Sequence, residues 1–384
     1  MSLFTKAIQD ITKADIDVLL QTKAPEGKHL EYKRDLPGPK DSDKKEFLFD
    51  ISSIANSHGG HVLYGIDERN GLPHKIAGVP RNETDQAVLR LQDLVRDGIR
   101  PPLIGVDFHP VFIDANTSVL LVKIPPSWAA PHQVIFQKTF RFYKRSSNGK
   151  YMMDVDELRD AFLLTYDREE SIRKFRNERV QLIAAGSTPK PLTSTSVAIL
   201  HLIPIPSFGK SRYVDLSRVD KTAGPLSDLL RGGGQVHYNL DGLLVMSSGQ
   251  EIVAEFLQLY RSGILELCWV VSVHNDHDGN KLLPSESFEQ DLVNYYGRAA
   301  ELLRILGTDF PLAVFLSVAG MKGCKMGLAP RYMAQTYLTR GLDRDPILIP
   351  ESVVSSFSSD PKDDLAQVIT MMWNAAGFAK SIYE

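Results

Sequence analysis

The chain has 384 residues, 43% of them hydrophobic and 24% charged, which suits a globular protein of two domains and excludes a disordered or fibrous polymer. Its 44 Lys and Arg against 47 Asp and Glu give a net charge of −3, so the bulk composition does not announce a dedicated polyanion binder. Cys268 and Cys324 stand alone in apolar stretches, so no zinc is expected, and with no signal-peptide core or long apolar run the expected location is the cytoplasm, without a membrane partner.

From the N-terminus, residues 29–34 alternate as a strand does, placing Glu31 and Lys33 on one face and Leu30 and Tyr32 on the other. A helix follows, capped by Asp43 with Glu46 and carrying Phe47, Ile51, Ile54 and Ala55 at helical spacing until Gly59-Gly60 ends it. His61 to Ile66 reads as a buried strand, Asp67 to Gly71 as a turn and Lys75 to Val79 as a returning strand. A second helix, capped by Asn82, presents Val88, Leu91 and Val95 and stops by Pro101-Pro102. Strands are expected at Leu103–Ile113, Ser118–Ile124 and Phe140–Arg145, and Asp154 with Glu157 caps the next helix.

That order gives an α+β fold for residues 1–166. The charge-dense stretch 167–191 reads as an exposed connecting helix and linker, and residues 192–384 as a second α+β domain without an assignable role. There, apolar runs at Val197–Ile205, Val236–Met246, Ala254–Tyr260, Ile264–Val273, Leu312–Val318 and Ile347–Ile349 read as strands. One helix is expected from a Ser287 cap and another over Leu365–Ala379.

Two groups of residues carry the chemistry. Between Asp114 and Asp154 there is no acidic residue, yet Lys123, Lys138, Arg141, Lys144, Arg145 and Lys150 occur. Of these, Arg141, Lys144, Arg145 and Lys150 are the candidates for phosphate contacts, with Phe140, Phe142 and Tyr143 between them as either core residues or base-stacking partners. The second group is acidic: Glu26, Glu31 and Asp67 could converge if their strands pair, offering hard oxygen ligands to Mg²⁺ or Mn²⁺, with Lys33 beside them to offset phosphate charge. The alternative is that these carboxylates are solvated strand ends.

Glu26-x-x-x-x-Glu31-Tyr32-Lys33, Ala55-Asn56-Ser57-His58-Gly59-Gly60 and Tyr64-Gly65-Ile66-Asp67 occur in that order, followed by Leu120–Pro126, Pro131 and Phe142-Tyr143-Lys144-Arg145-Ser146-Ser147-Asn148. Together they resemble the Schlafen AlbA-2 family over about residues 20–165. The resemblance implies an AlbA-2-like mixed sheet with helices, and binding of nucleic acid, RNA or DNA. It also places the Glu, Glu, Asp set of Schlafen ribonucleases on Glu26, Glu31 and Asp67. Metal-dependent endoribonuclease activity, with Mg or Mn, is one expectation; a noncatalytic DNA-binding regulator or scaffold is the alternative, with the C-terminal half sensing a ligand or partner.

ATP binding is a weaker option that accompanies the resemblance. Pro204-x-x-x-x-Gly209-Lys210-Ser211 lacks the first glycine of a phosphate loop. Gly232-Gly233-Gly234 lacks the spacing of a dinucleotide site, and His274 to Gly279 reads as a solvent loop. The animal ribonucleases of the family pair two lobes and carry zinc; here a homodimer or the C-terminal half would have to replace the second lobe.

Overall fold

A computed structural model describes residues 6, 8–127, 129–146, 149–208, 214–216, 227–231, 233–247, 249–308, 310–330 and 340–383. Ser147, Asn148, Gly209, Lys210, Ser211 and Gly232, named above, lie outside the described residues. The chain forms two compact units, Met1–Asp167 and Arg168–Glu384, and both are α+β. Among the described residues, no helix is long and apolar enough to cross a membrane.

In the first unit α1 (Lys13–Gln21) precedes β1 (Leu30–Lys33), α2 (Asp41–Ala55) and β2 (Gly60–Tyr64). A hairpin of β3 (Ile66–Arg69) and β4 (Leu72–Ile76) follows, turning at Asn70-Gly71 with φ of 53° and 72°, the left-handed pair that a tight hairpin demands. Then come β5 (Val79–Pro80), α3 (Arg81–Gly98), β6 (Ile99–Arg100), β7 (Asp107–Phe112) and β8 (Thr117–Ile124). The unit closes with β9 (Gln133–Val134), β10 (Arg141–Ser146), β11 (Gly149–Met152) and the start of α4 (Val155–Ala184).

The main sheet runs β1-β2-β8-β5, with β7 also on β8; β1 pairs β2 in parallel and the other pairs are antiparallel. Its two faces are both covered, as the alternation requires. Val62, Tyr64, Leu120, Val122 and Ile124 pack against Phe47, Ile51 and Ile54 of α2 and Leu91 and Val95 of α3. Leu30, Tyr32, Leu63, Val119 and Leu121 pack against Ile16 and Leu19 of α1. A second sheet, β11-β10-β9-β6, lies along α2, where Tyr143 stacks on Phe49 at a ring separation of 4.2 Å.

Two caps differ from their expected positions. α2 begins at Asp41, so Asp43 lies in its first turn, where a carboxylate favours the positive helix end; α3 begins at Arg81, one residue before Asn82. The Asp154–Glu157 box forms: Asp154 accepts the Glu157 N–H at 2.8 Å and Glu157 accepts that of Asp154 at 3.3 Å.

The second unit is organised on an eight-stranded antiparallel sheet. In chain order it contains β12 (Val197–Pro204), β13 (Gln235–Tyr238), β14 (Gly242–Met246), β15 (Glu255–Tyr260), β16 (Leu265–Val270), β17 (His274–Asn275) and β18 (Lys281–Pro284). After them come α5 (Ser285–Ile305), β19 (Leu312–Ala319), β20 (Lys325–Gly327), β21 (Ile347–Leu348), β22 (Ser352–Val354) and α6 (Pro361–Ala375). The Val236–Met246 run is a hairpin, because Asn239 turns the chain by accepting the Gly242 N–H. α5 starts two residues before Ser287. Residues 168–184, placed in the connector by the sequence reading, lie in this unit, where Val180 and Ile183 pack with Ile199, Phe256 and Cys268. Both cysteines are buried free thiols.

A charged pocket as candidate functional site

Parallel pairing sets Glu31 opposite Val62 and Lys33 opposite Tyr64, and partners across a pair share a face. Glu31 and Lys33 therefore point to the α2 side, where Asp50 sits one turn beyond Glu46. From the opposite side β10 and β11 bring Arg145 and Lys150, which are themselves cross-strand partners. The result is a pocket of about 430 Å³ lined by Glu26, Glu31, Lys33, Glu46, Asp50, Arg145 and Lys150, with the Asn70-Gly71 turn at its edge.

Every charge in it except Glu26 is ion-paired with an opposite charge. Glu31 takes Lys33 Nζ on one oxygen at 2.8 Å and Arg145 on the other. Asp50, only 1% exposed, takes Lys150 at 2.7 Å and lies 3.8 Å from Lys33. Glu46 also pairs with Lys150. Glu26 accepts the Tyr32 N–H at 2.8 Å.

Burial and pairing pull these groups apart in acidity. Burial raises Glu26, the Tyr32 N–H only partly offsetting it, and the Glu31 charge adds to the rise. Burial also raises Asp50 despite Lys150 and Lys33. At Glu31 burial acts the same way but Arg145 and Lys33 overcome it, so this carboxyl falls below its ordinary range. Burial alone would lower Lys33; Asp50 and Glu31 reverse that and hold it charged.

A cluster of side-chain to backbone bonds fixes the walls. The Asn56 amide donates to the carbonyls of Tyr143 and His132 at 2.8 and 3.0 Å, and its oxygen accepts the His132 N–H. Ser57 Oγ accepts the Arg145 N–H at 2.9 Å, so the loop after α2 positions the residue that pairs with Glu31. Gly59 and Gly60 let backbones meet: a Cβ on Gly59, at φ 69°, would lie 2.5 Å from Pro126 N, and one on Gly60 2.5 Å from the His29 carbonyl oxygen. His132 completes the frame, its Nδ1–H donating to the Pro101 carbonyl at 2.7 Å and its Nε2 accepting from Ser127 Oγ at 2.5 Å. Burial lowers His132 to about 4, against a smaller opposing effect of the Pro101 bond.

Residues 26–154 match the family model described as Schlafen, AlbA_2. The N-terminal unit carries a Schlafen AlbA_2 domain. No curated protein matches the chain. Among solved structures the DIP2311 protein from Corynebacterium diphtheriae is 16% identical, over 37% of this chain and 26% of that one, with a TM-score of 0.25. The alignment spans about a quarter of that protein's length, and a likeness this slight carries no argument.

Within the AlbA_2 domain the expected carboxylate set is only partly brought together. Glu26 and Glu31 share the pocket, but Asp67 is not among its lining residues; it sits on the β3–β4 hairpin opposite Lys75. Among the described residues no three His, Cys, Asp or Glu side chains form a group able to hold a metal ion. Both oxygens of Glu31 are occupied by cations, so the donor set present does not fit Mg²⁺ or Mn²⁺, which needs several free hard oxygens.

The four basic candidates also separate. Arg141 is exposed on β10; Lys144 lies 3.7 Å from Glu157; Arg145 is buried against Glu31, its Nε donating to the Gly27 carbonyl; Lys150 is held by Glu46 and Asp50. The gap in acidic residues from Asp114 to Asp154 is thus closed by carboxylates from elsewhere in the unit. Asp50 and Glu46 are site residues that sequence reasoning missed, and for Asp50 a signal existed: a carboxylate among Phe47, Phe49, Ile51 and Ile54 sits where a buried charge needs a partner.

Proposed function

We propose that the N-terminal unit binds nucleic acid and engages the phosphodiester backbone at the pocket between β1, α2 and β10–β11. The observation that supports this reading is the convergence of Lys33, Arg145 and Lys150 on one open pocket, each already oriented by a carboxylate. Lysines held by carboxylates are pre-positioned point charges, and a phosphate entering the pocket replaces the exposed Glu46 as partner of Lys150. Because net charge stays close to zero, binding is modest and salt-sensitive.

The test is polarisation of labelled RNA and DNA against the K33A/K150A double variant across a salt series. Loss of about tenfold or more in affinity, with a shallower salt slope, is expected from removing two phosphate contacts. Unchanged affinity and slope would sink the pocket as the docking site. Binding without cleavage is the reading, since Glu31, Glu46 and Asp50 are engaged by protein cations. Mn²⁺-dependent cutting of RNA that E31Q and D67N each abolish would overturn that part.

A further inference from the structure

A second concavity lies on the same β10–β11 hairpin, toward its other end. Phe140, Met152 and Leu158 form its apolar part and Lys45, Lys138 and Arg141 its cationic part. Phe140 is 64% exposed and Met152 50% exposed, so their apolar area is offered to solvent instead of the core. By contrast Tyr143, the aromatic residue three positions on, is packed on Phe49.

The loop that presents Phe140 is bent at a cost. Gln137 and Lys138 are consecutive non-glycine residues at φ of 47° and 59°, a conformation L-residues avoid. The Thr139 N–H to Phe136 carbonyl bond at 3.0 Å and the contact of Gln137 with Asp41 hold the bend, which brings Lys138 and Phe140 to the same concavity. The charges also differ from those of the first pocket. Among the described residues, Lys45, Lys138 and Arg141 have no ion pair with a carboxylate, whereas Lys33, Arg145 and Lys150 are all paired.

We infer that Phe140, rimmed by Lys45, Lys138 and Arg141, is a stacking platform for an unpaired base, which makes single-stranded nucleic acid the substrate class of this unit. The inference rests on the proposed nucleic-acid reading and adds what that reading lacks, a reason to prefer one form of nucleic acid. A base stacks on an exposed aromatic ring only when its own face is free, as in a single strand and not inside a duplex. Cations without carboxylate partners are complementary to the adjacent phosphates. Arg145 lies four positions beyond Arg141, roughly 13 Å along the strand, a span that a few nucleotides cover. One strand can therefore place a base on Phe140 and phosphates in the paired pocket.

The full chain is titrated with a labelled oligouridine of about a dozen nucleotides, with an abasic strand of equal length and with a duplex of the same length. The expected result is preference for oligouridine, a loss of roughly 5- to 100-fold in F140A, no change for the abasic strand, and recovery in F140W, which restores an aromatic face. Since Phe140 is exposed, an unchanged melting curve certifies the fold of F140A. Duplex preference, or F140A binding oligouridine like the parent, overturns the platform while leaving the nucleic-acid reading in place. No binding to any probe at low salt removes both.

Discussion

Each unit holds a buried carboxylate between two hydrogen-bonding or ion-pairing side chains, but the surroundings differ. In the second unit Glu266, fully buried on β16, receives Arg179 on both oxygens at 2.8 Å and His201 Nε2 at 3.0 Å, with the Phe175 ring against the imidazole. Burial works to raise this carboxyl, and the Arg179 and His201 bonds overcome it and bring it to about 2. In the first unit Asp50 is nearly as buried, yet its cations are lysines, Lys33 and Lys150, that reach an open pocket, and its carboxyl is raised. A cluster centred on a fully buried carboxylate specifies a packing arrangement; one facing a pocket can exchange a partner for a ligand.

The comparison is broken most directly at Glu266. Glu266→Ala leaves Arg179 without its partner inside the unit and should cost about 3–5 kcal/mol in chemical unfolding, while the folded fraction still binds nucleic acid normally. A cost below about 1 kcal/mol would show that the Glu266 cluster is no more structural than a surface pair.

Acid should separate the two units. His132 is lowered to about 4 in the folded state from an ordinary value near 6.5. Between those values the unfolded chain takes up a proton that the folded chain refuses, so this stability is complete above about pH 6.5 and is lost as pH falls through 4, up to roughly 3 kcal/mol. His61, lowered to about 4 by burial with Lys123 and His29 adding to it, acts in the same direction. The Glu266 cluster survives until pH nears 2. Amide exchange at pH 7, 5.5 and 4.5 should therefore quicken in β8 and β9 before β12 and β16. Equal loss of protection in both pairs would remove the distinction.

Much of this contrast could be anticipated locally and little of it globally. The Glu31/Lys33 face, the Asn70-Gly71 turn, the glycine pair after α2 and the Asp154–Glu157 box are all legible, because each depends on residues a few positions apart. The partners of Arg145 are not: Glu31 lies 114 positions away and Ser57 88, and no local pattern encodes either. That is why a basic run reads as a phosphate-binding surface when three of its four chosen members are paired with carboxylates. Asp67 fails for a related reason. Its hairpin brings the Asn70-Gly71 turn to the pocket, while Asp67 pairs with Lys75 across the hairpin and is not one of the residues lining that pocket.

The smallest predicted effect is the sharpest test of whether the first cluster is open. Glu46 is more than half exposed, so its pair with Lys150 contributes at most about 1 kcal/mol and Glu46→Gln should leave the melting curve almost unmoved. Yet the change removes a negative charge from the rim of a site meant for phosphate. At about 4 Å in water such a charge is worth roughly 1 kcal/mol, so nucleic-acid affinity should rise up to about fivefold at low salt, and the gain should fade as salt is added. Asp50, buried between Lys33 and Lys150, holds those lysines in place and cannot be removed with the same benefit. If E46Q binds more weakly than the parent, Glu46 orients Lys150 instead of competing for it, and the pocket of the first unit is a scaffold of the same kind as the Glu266 cluster.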